Sequence, residues 1–188
     1  MPEYLAALAL ALCPALVAGR LIALRRSGTR ALHFASTDRK DFLIPPFALV
    51  YFYVIFAGAF GWPLGASGRF FTSAALAWAG VALCFVGLEL VLLTLISFGT
   101  SFRVGIDTDR PDKLVTSGVF AISRNPIYVG FALVLLGQFL VFPSWIPLIY
   151  LVAGVGLFHR QVLREEAFMR EHYGREYAEY TSRVRRYL

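Results

Sequence analysis

The groups able to do chemistry sit in two short polar stretches, residues 99–126 and about 159–188, of an otherwise almost continuously apolar chain. Arg124 stands just before Pro126, and proline suits the first turn of a helix, where free N–H groups and the positive dipole end attract an anion. Phe120 and Tyr128 offer ring faces to a cation, a contact worth roughly 0.5–2 kcal/mol depending on desolvation. Glu165 and Glu166 are carboxylates suited to an ammonium or to hydroxyls, and they are candidate bases for any group that must lose a proton. Arg160, with Gln161 as its rival, is placed to orient an anionic group. Each residue also has a plainer reading. Arg124 serves as a topological anchor, Pro126 as a helix start and Tyr128 as an interfacial ring, while the two glutamates pair with Arg164 and Arg170 one turn away.

Other chemistries find little support. His33, His159 and His172 share no ligand spacing, and Cys13 and Cys84 lie in apolar stretches without a C-x-x-C pattern, so neither a metal site nor a disulfide framework is expected. The GxG of Gly154 and Gly156 lies inside an apolar run with no strand before it, which reads as helix packing rather than a nucleotide loop.

The elements that must position these groups are membrane helices. Of 188 residues 58% are apolar and only 16% charged, and the mean hydropathy is +0.64. Soluble domains carry about 25% charged residues, so a soluble globular domain is excluded. Apolar runs cover 4–24, 42–61 and 71–98. The first reads as a span rather than a signal peptide, because its basic cluster follows the run. Residues 125–159 hold no Asp, Glu, Lys or Arg, a length of roughly 50 Å as helix and too long for one crossing. The PSWIP stretch from Pro143 to Pro147 is the natural reversal, giving spans 127–142 and 145–163. No alternation of polar and apolar residues supports a barrel. The expectation is an all-α integral membrane bundle of five transmembrane helices, the last two a helical hairpin, with a C-terminal amphipathic tail, all one domain over 1–188.

Charge selects the orientation. Sixteen of the eighteen lysines and arginines fall in the loop after span one, the loop before span four and the tail. Arg20 can snorkel to the same side, leaving Arg69 opposite. The N-terminus is therefore expected outside, and the segments 99–126 and 164–188 in the cytoplasm. A net charge of +6 on such a chain points to the lipid surface rather than to nucleic acid. Glu89 is the one acid within the third span and a functional candidate by default, with Arg20 or a wet access channel as its expected surroundings.

The second half also carries a resemblance. LVTSGVF (Leu114 to Phe120), RNPIYVG (Arg124 to Gly130), a proline-containing turn, then Glu165-Glu166, Phe168 and YGREYAEY (Tyr173 to Tyr180) resemble the isoprenylcysteine carboxyl methyltransferase and phospholipid methyltransferase group. The likeness implies methyl transfer from S-adenosylmethionine, with S-adenosylhomocysteine as product, to a lipophilic acceptor at the bilayer. It implies a cofactor site between the loop before span four and the tail. Lys113, Leu114, Val115, Gly118 and Val119 would form the loop wall, beside Phe120, Arg124, Asn125, Pro126, Tyr128, Glu165 and Glu166. Arg160 and Glu165 would be the catalytic pair, and Arg160 and Gln161 would meet the acceptor. Asn125 stands where many members have histidine, so a hydrogen-bonding role carries over and a titrating one does not. Gln161 stands where isoprenylcysteine enzymes have an arginine, which leaves a prenylated cysteine, a phospholipid amine or a small thiol or amine open as acceptor. A non-enzymatic transporter or assembly protein on the same scaffold is the competing reading.

Overall fold

The computed structural model describes residues 1–26, 44–62, 68–99 and 114–188, with side chains from residue 48 onward in the second segment. Among the described residues five α-helices form: α1 (Pro2–Arg26), α2 (Ile44–Phe60), α3 (Ala74–Ser97), α4 (Pro126–Val141) and α5 (Trp145–Arg183). A 3-10 turn at Gly118–Ala121 precedes α4, and no strand forms among the described residues beyond one isolated bridge between Ser123 and Arg185.

Helix starts follow local chemistry. Ser73 is extended, and its hydroxyl accepts from the Leu76 N–H at 3.3 Å, satisfying one of the open donors of α3. Pro126 opens α4, where its missing N–H costs no internal hydrogen bond. By length and composition α1, α3 and α5 can cross a membrane, while α2 and α4 are apolar but shorter. The 16 residues of α4 rise about 24 Å, against about 30 Å of hydrocarbon.

Glycine sets the closest packing. Gly80 and Gly87 of α3 face Gly137 and Gly130 of α4, so the two helices run antiparallel with their backbones touching. A Cβ on Gly137 would lie 2.4 Å from the Gly80 carbonyl oxygen, and one on Gly87 would lie 2.5 Å from that of Gly130. Lipid offers no hydrophobic drive between helices, so small residues that admit close van der Waals contact hold such a pair together. Ala6, Ala9 and Cys13 of α1 complete the core against Cys84, Leu88 and Val91. Gln138 donates to the Ala6 carbonyl at 2.7 Å, and stacked Tyr51 and Tyr150 rings, 4.6 Å apart, tie α2 to α5. Both cysteines are free and buried. Trp78, Val86 and Ile96 of α3 and Ile149 and Val152 of α5 are exposed, an outward apolar surface that suits lipid and would be unusual in a soluble monomer.

Three details differ from the reading of the sequence. The fifth helix does not end with its apolar part near residue 163 but continues to Arg183. Its polar half is built of helix formers joined by i,i+4 contacts such as Gln161 to Glu165 and Arg175 to Glu179. The break comes at Gly174, whose φ of 48° and ψ of −114° kink the helix. Beyond Gly174 the tail folds back, with Tyr177 and Tyr180 buried. Arg20 donates to the Gly99 carbonyl, joining the C-terminal ends of α1 and α3; Glu89 is exposed on α3 and has no ion-pair partner among the described residues. Gly154 packs on Leu135, as a packing role requires, but Gly156 faces open space.

Candidate functional site

The loop before α4 is fixed on the end of α3. Gly118 has φ of 63°, and a Cβ there would lie 2.4 Å from the Ser97 hydroxyl, so glycine alone fits. The Val119 N–H reaches that hydroxyl at 3.4 Å, and the Phe120 ring packs edge-on against Phe98 with centroids 4.7 Å apart. Tyr180, past the Gly174 kink, donates to the Phe120 carbonyl at 2.7 Å. Loop and tail are thereby joined through a buried hydrogen bond.

Two adjacent carboxylates then meet opposite surroundings. Glu165 accepts from the Tyr128 hydroxyl at 2.5 Å and from Gln161 at 3.0 Å, bringing α4 and α5 together. Burial raises the Glu165 carboxyl above the usual carboxylate range, and these two neutral donors only partly offset it. Glu166 is fully buried and surrounded by cations. Arg186 contacts it at 2.9 Å, Arg170 at 3.3 Å and Arg124 at 3.4 Å, while Asn125 donates at 3.3 Å. Burial opposes ionisation there too, but the Arg186 hydrogen bonds, the Arg124 and Arg186 charges and Asn125 outweigh it and hold Glu166 below the usual range.

Of the residues singled out from the sequence, Asn125, Arg124 and Glu166 form one cluster, and Tyr128, Gln161 and Glu165 form a second beside it. Pro126 begins α4 next to both. Phe120 is buried at the loop–tail contact, and Leu114, Val115 and Val119 are half-buried before it. Arg160 is exposed on α5. Lys113 lies outside the described residues. Arg186 entered the sequence reading only as one of the tail cations, and Tyr177 only as part of the YGREYAEY motif. The buried Tyr177 hydroxyl and the buried Arg124 Nε have no hydrogen-bond partner among the described residues. Among the described residues no His, Cys, Asp and Glu group has metal-binding geometry.

An all-helical membrane-type bundle with a polar cluster where one helix begins and another doubles back defines the class. A sequence profile described as phospholipid methyltransferase matches residues 75–176, more than half of the chain, covering α3 from its second residue, all of α4 and the straight part of α5. The chain belongs to that family. It is also similar to the protein-S-isoprenylcysteine O-methyltransferase B of Arabidopsis thaliana, 32% identical over 108 residues, 56% of this chain and 55% of the relative. A "probable protein-S-isoprenylcysteine O-methyltransferase" of Oryza sativa is 28% identical over 110 residues, 57% of this chain and 58% of the relative. The protein-S-isoprenylcysteine O-methyltransferase of Tribolium castaneum is 28% identical over 109 residues, 56% of this chain and 38% of the relative. The matched region is thus little more than half the length of the plant relatives.

Proposed function

We propose that this protein is an integral-membrane methyltransferase that uses S-adenosylmethionine to methylate a lipophilic acceptor. The observation that carries the reading is the 2.5 Å contact between Tyr128 and Glu165, which sets a recessed carboxylate, without a cationic partner among the described residues, beside the α4 N-terminus. Family membership supports the reaction class.

The cofactor's chemical groups fit the residues present. Its carboxylate suits the positive end of α4 and the Arg124 Nε–H, a buried donor lacking an acceptor. Its ammonium suits Glu165, because Glu166 is already neutralised by three guanidinium groups. Tyr128 offers aromatic surface, Phe120 anchors the loop from beneath by packing on Phe98, and Leu114, Val115, Gly118 and Val119, with Lys113 before them, form the loop wall. When bound, S-adenosylmethionine supplies a methyl group on a sulfonium sulfur. The chain's own part is to hold the reactants in line and exclude water, which accounts for much of the acceleration in such a displacement. Arg160 and Gln161 orient the acceptor's polar group at the membrane surface.

The arrangement assumes five crossings, with α4 and α5 as a hairpin, the N-terminus outside and the site in the cytoplasm, so that a soluble cofactor and a lipid-borne acceptor arrive from different phases. The test is binding of S-adenosylhomocysteine to the purified, folded protein in lipid, followed by incubation with labelled S-adenosylmethionine and defined acceptor classes. Saturable binding and a labelled lipid-soluble product are expected; a folded protein that binds no S-adenosylhomocysteine overturns the proposal and leaves the non-enzymatic reading.

A further inference from the structure

We infer that residues 184–188 form a strap that sets the shape of the α4 entrance, and that Arg186 is its positioning residue; the inference rests on the cofactor reading above. The strap touches three places at once. The Arg186 guanidinium grips Glu166 with Nε at 3.1 and 3.2 Å from its two oxygens and Nη2 at 2.9 Å. The Arg186 carbonyl accepts from the Asn125 amide at 3.1 Å and from the Ser123 hydroxyl at 3.5 Å. The Arg185 carbonyl accepts from the Arg124 N–H at 3.0 Å. The Tyr187 hydroxyl meets His159 Nδ1 at 2.7 Å, one face further back along α5.

These contacts converge on residues 123–125, the three before α4. Asn125 precedes the helix without capping it, because its side-chain amide is held between Glu166 and the Arg186 carbonyl instead. The direction in which α4 starts, and with it the positions of the first free N–H groups and of the Arg124 guanidinium, is therefore fixed by residues some sixty positions later in the chain. Remove the strap and three donors of this loop lose their acceptors, and Glu166 loses its bidentate partner. Arg124 and Arg170 still neutralise Glu166 in part, so the bundle persists while the anion-binding corner loosens. An exposed surface pair is worth little, but a fork-shaped guanidinium on a fully buried carboxylate gives directional control that an ammonium does not.

The test compares Arg186→Ala, Arg186→Lys and the exposed control Arg175→Ala in the full-length protein in lipid, measuring S-adenosylhomocysteine affinity, KM for S-adenosylmethionine and kcat at saturating cofactor. Arg186→Ala is expected to raise Kd and KM about tenfold or more, with kcat changed far less, as a loss of cofactor positioning requires. Arg186→Lys should fall between, since one ammonium cannot replace two parallel N–H contacts, and it decides the matter if Arg186→Ala does not fold. Arg175→Ala should match the parent. A purely structural Arg186 would lower the melting temperature but leave Kd of the folded protein unchanged, and that result overturns the strap. Parent protein that binds no S-adenosylhomocysteine overturns the site reading and the strap together, so the two failures are distinguishable.

Discussion

Glu165 and Glu166 are covalent neighbours of identical chemistry, separated in behaviour only by what faces them. Glu166 meets three guanidinium groups and an amide; Glu165 meets a phenol and an amide. Their contributions to stability therefore run in opposite directions with pH. Glu166 has a folded pKa below its unfolded value of about 4.3, so its contribution is full above that pH and is lost as pH falls through the lower folded value. Glu165 has a raised folded pKa, so burial of its carboxylate costs stability as pH climbs from about 4.3 through the raised value. Thermal unfolding in detergent as a function of pH should separate them. Glu166→Gln removes the negative charge facing the buried Arg124 guanidinium and is expected to cost about 3 kcal/mol near neutrality, toward the low end for a buried pair because Arg170 and Arg186 reach water. Glu165→Gln is expected to be neutral or stabilising and to flatten the decline above pH 4.3. A Glu165→Gln protein that loses as much stability as Glu166→Gln would show that Glu165 has a cationic partner after all.

At the scale of elements, the α3–α4 contact depends on four glycines at seven-residue spacing, Gly80 with Gly137 and Gly87 with Gly130. A single methyl group at Gly137 meets backbone rather than a flexible side chain, so the helices must part along their length. Gly137→Ala should therefore lower stability by about 1–3 kcal/mol, the range for overpacking. Gly156→Ala, a helical position with nothing within 4 Å, should instead raise it by about 0.5–1 kcal/mol through backbone entropy. Equal melting temperatures for the two variants would contradict the packing described. The glycines were plain in the sequence, yet their pairing was not, because two uniformly apolar helices carry no polar face to set rotation or register. The same limit hid Arg186. Its type and its place in a basic tail were legible, but the reversal that carries it to a glutamate twenty residues earlier depends on one glycine in an otherwise uninterrupted helix. That Tyr128 and Glu165 would line one site was an expectation drawn from motifs whose order the family resemblance supplied, while their hydrogen bond to each other was not legible; Pro126 was, because proline at a helix start has a local cause.

For the whole molecule, cationic residues and apolar surface together prescribe how the chain lies in a bilayer. The loop before α4 and the strap are hydrogen-bonded to one another, so they occupy one side of the membrane whatever the number of crossings. The start of α3 lies at the far end of a helix of 24 residues, about 36 Å along its axis and enough to span the hydrocarbon. Arg69 sits near that far end, whereas seven arginines lie between His159 and the C-terminus, and the proposed cytoplasmic placement of the C-terminal side rests on this imbalance. Both native cysteines are buried, so the parent protein should react poorly with a membrane-impermeant maleimide. Introduced one at a time, Ser117→Cys and Leu188→Cys should label in inside-out vesicles and stay unlabelled in right-side-out ones, while Thr72→Cys should do the reverse; all three positions are exposed. Labelling of Thr72→Cys and Leu188→Cys from the same side would mean that α3 does not cross, and the separation of a cytoplasmic cofactor from a lipid-borne acceptor would lose its physical basis. Labelling of all three from opposite faces as expected, but with Leu188→Cys on the outside, would keep the bundle and invert it, placing the site beyond the reach of a cytoplasmic nucleotide.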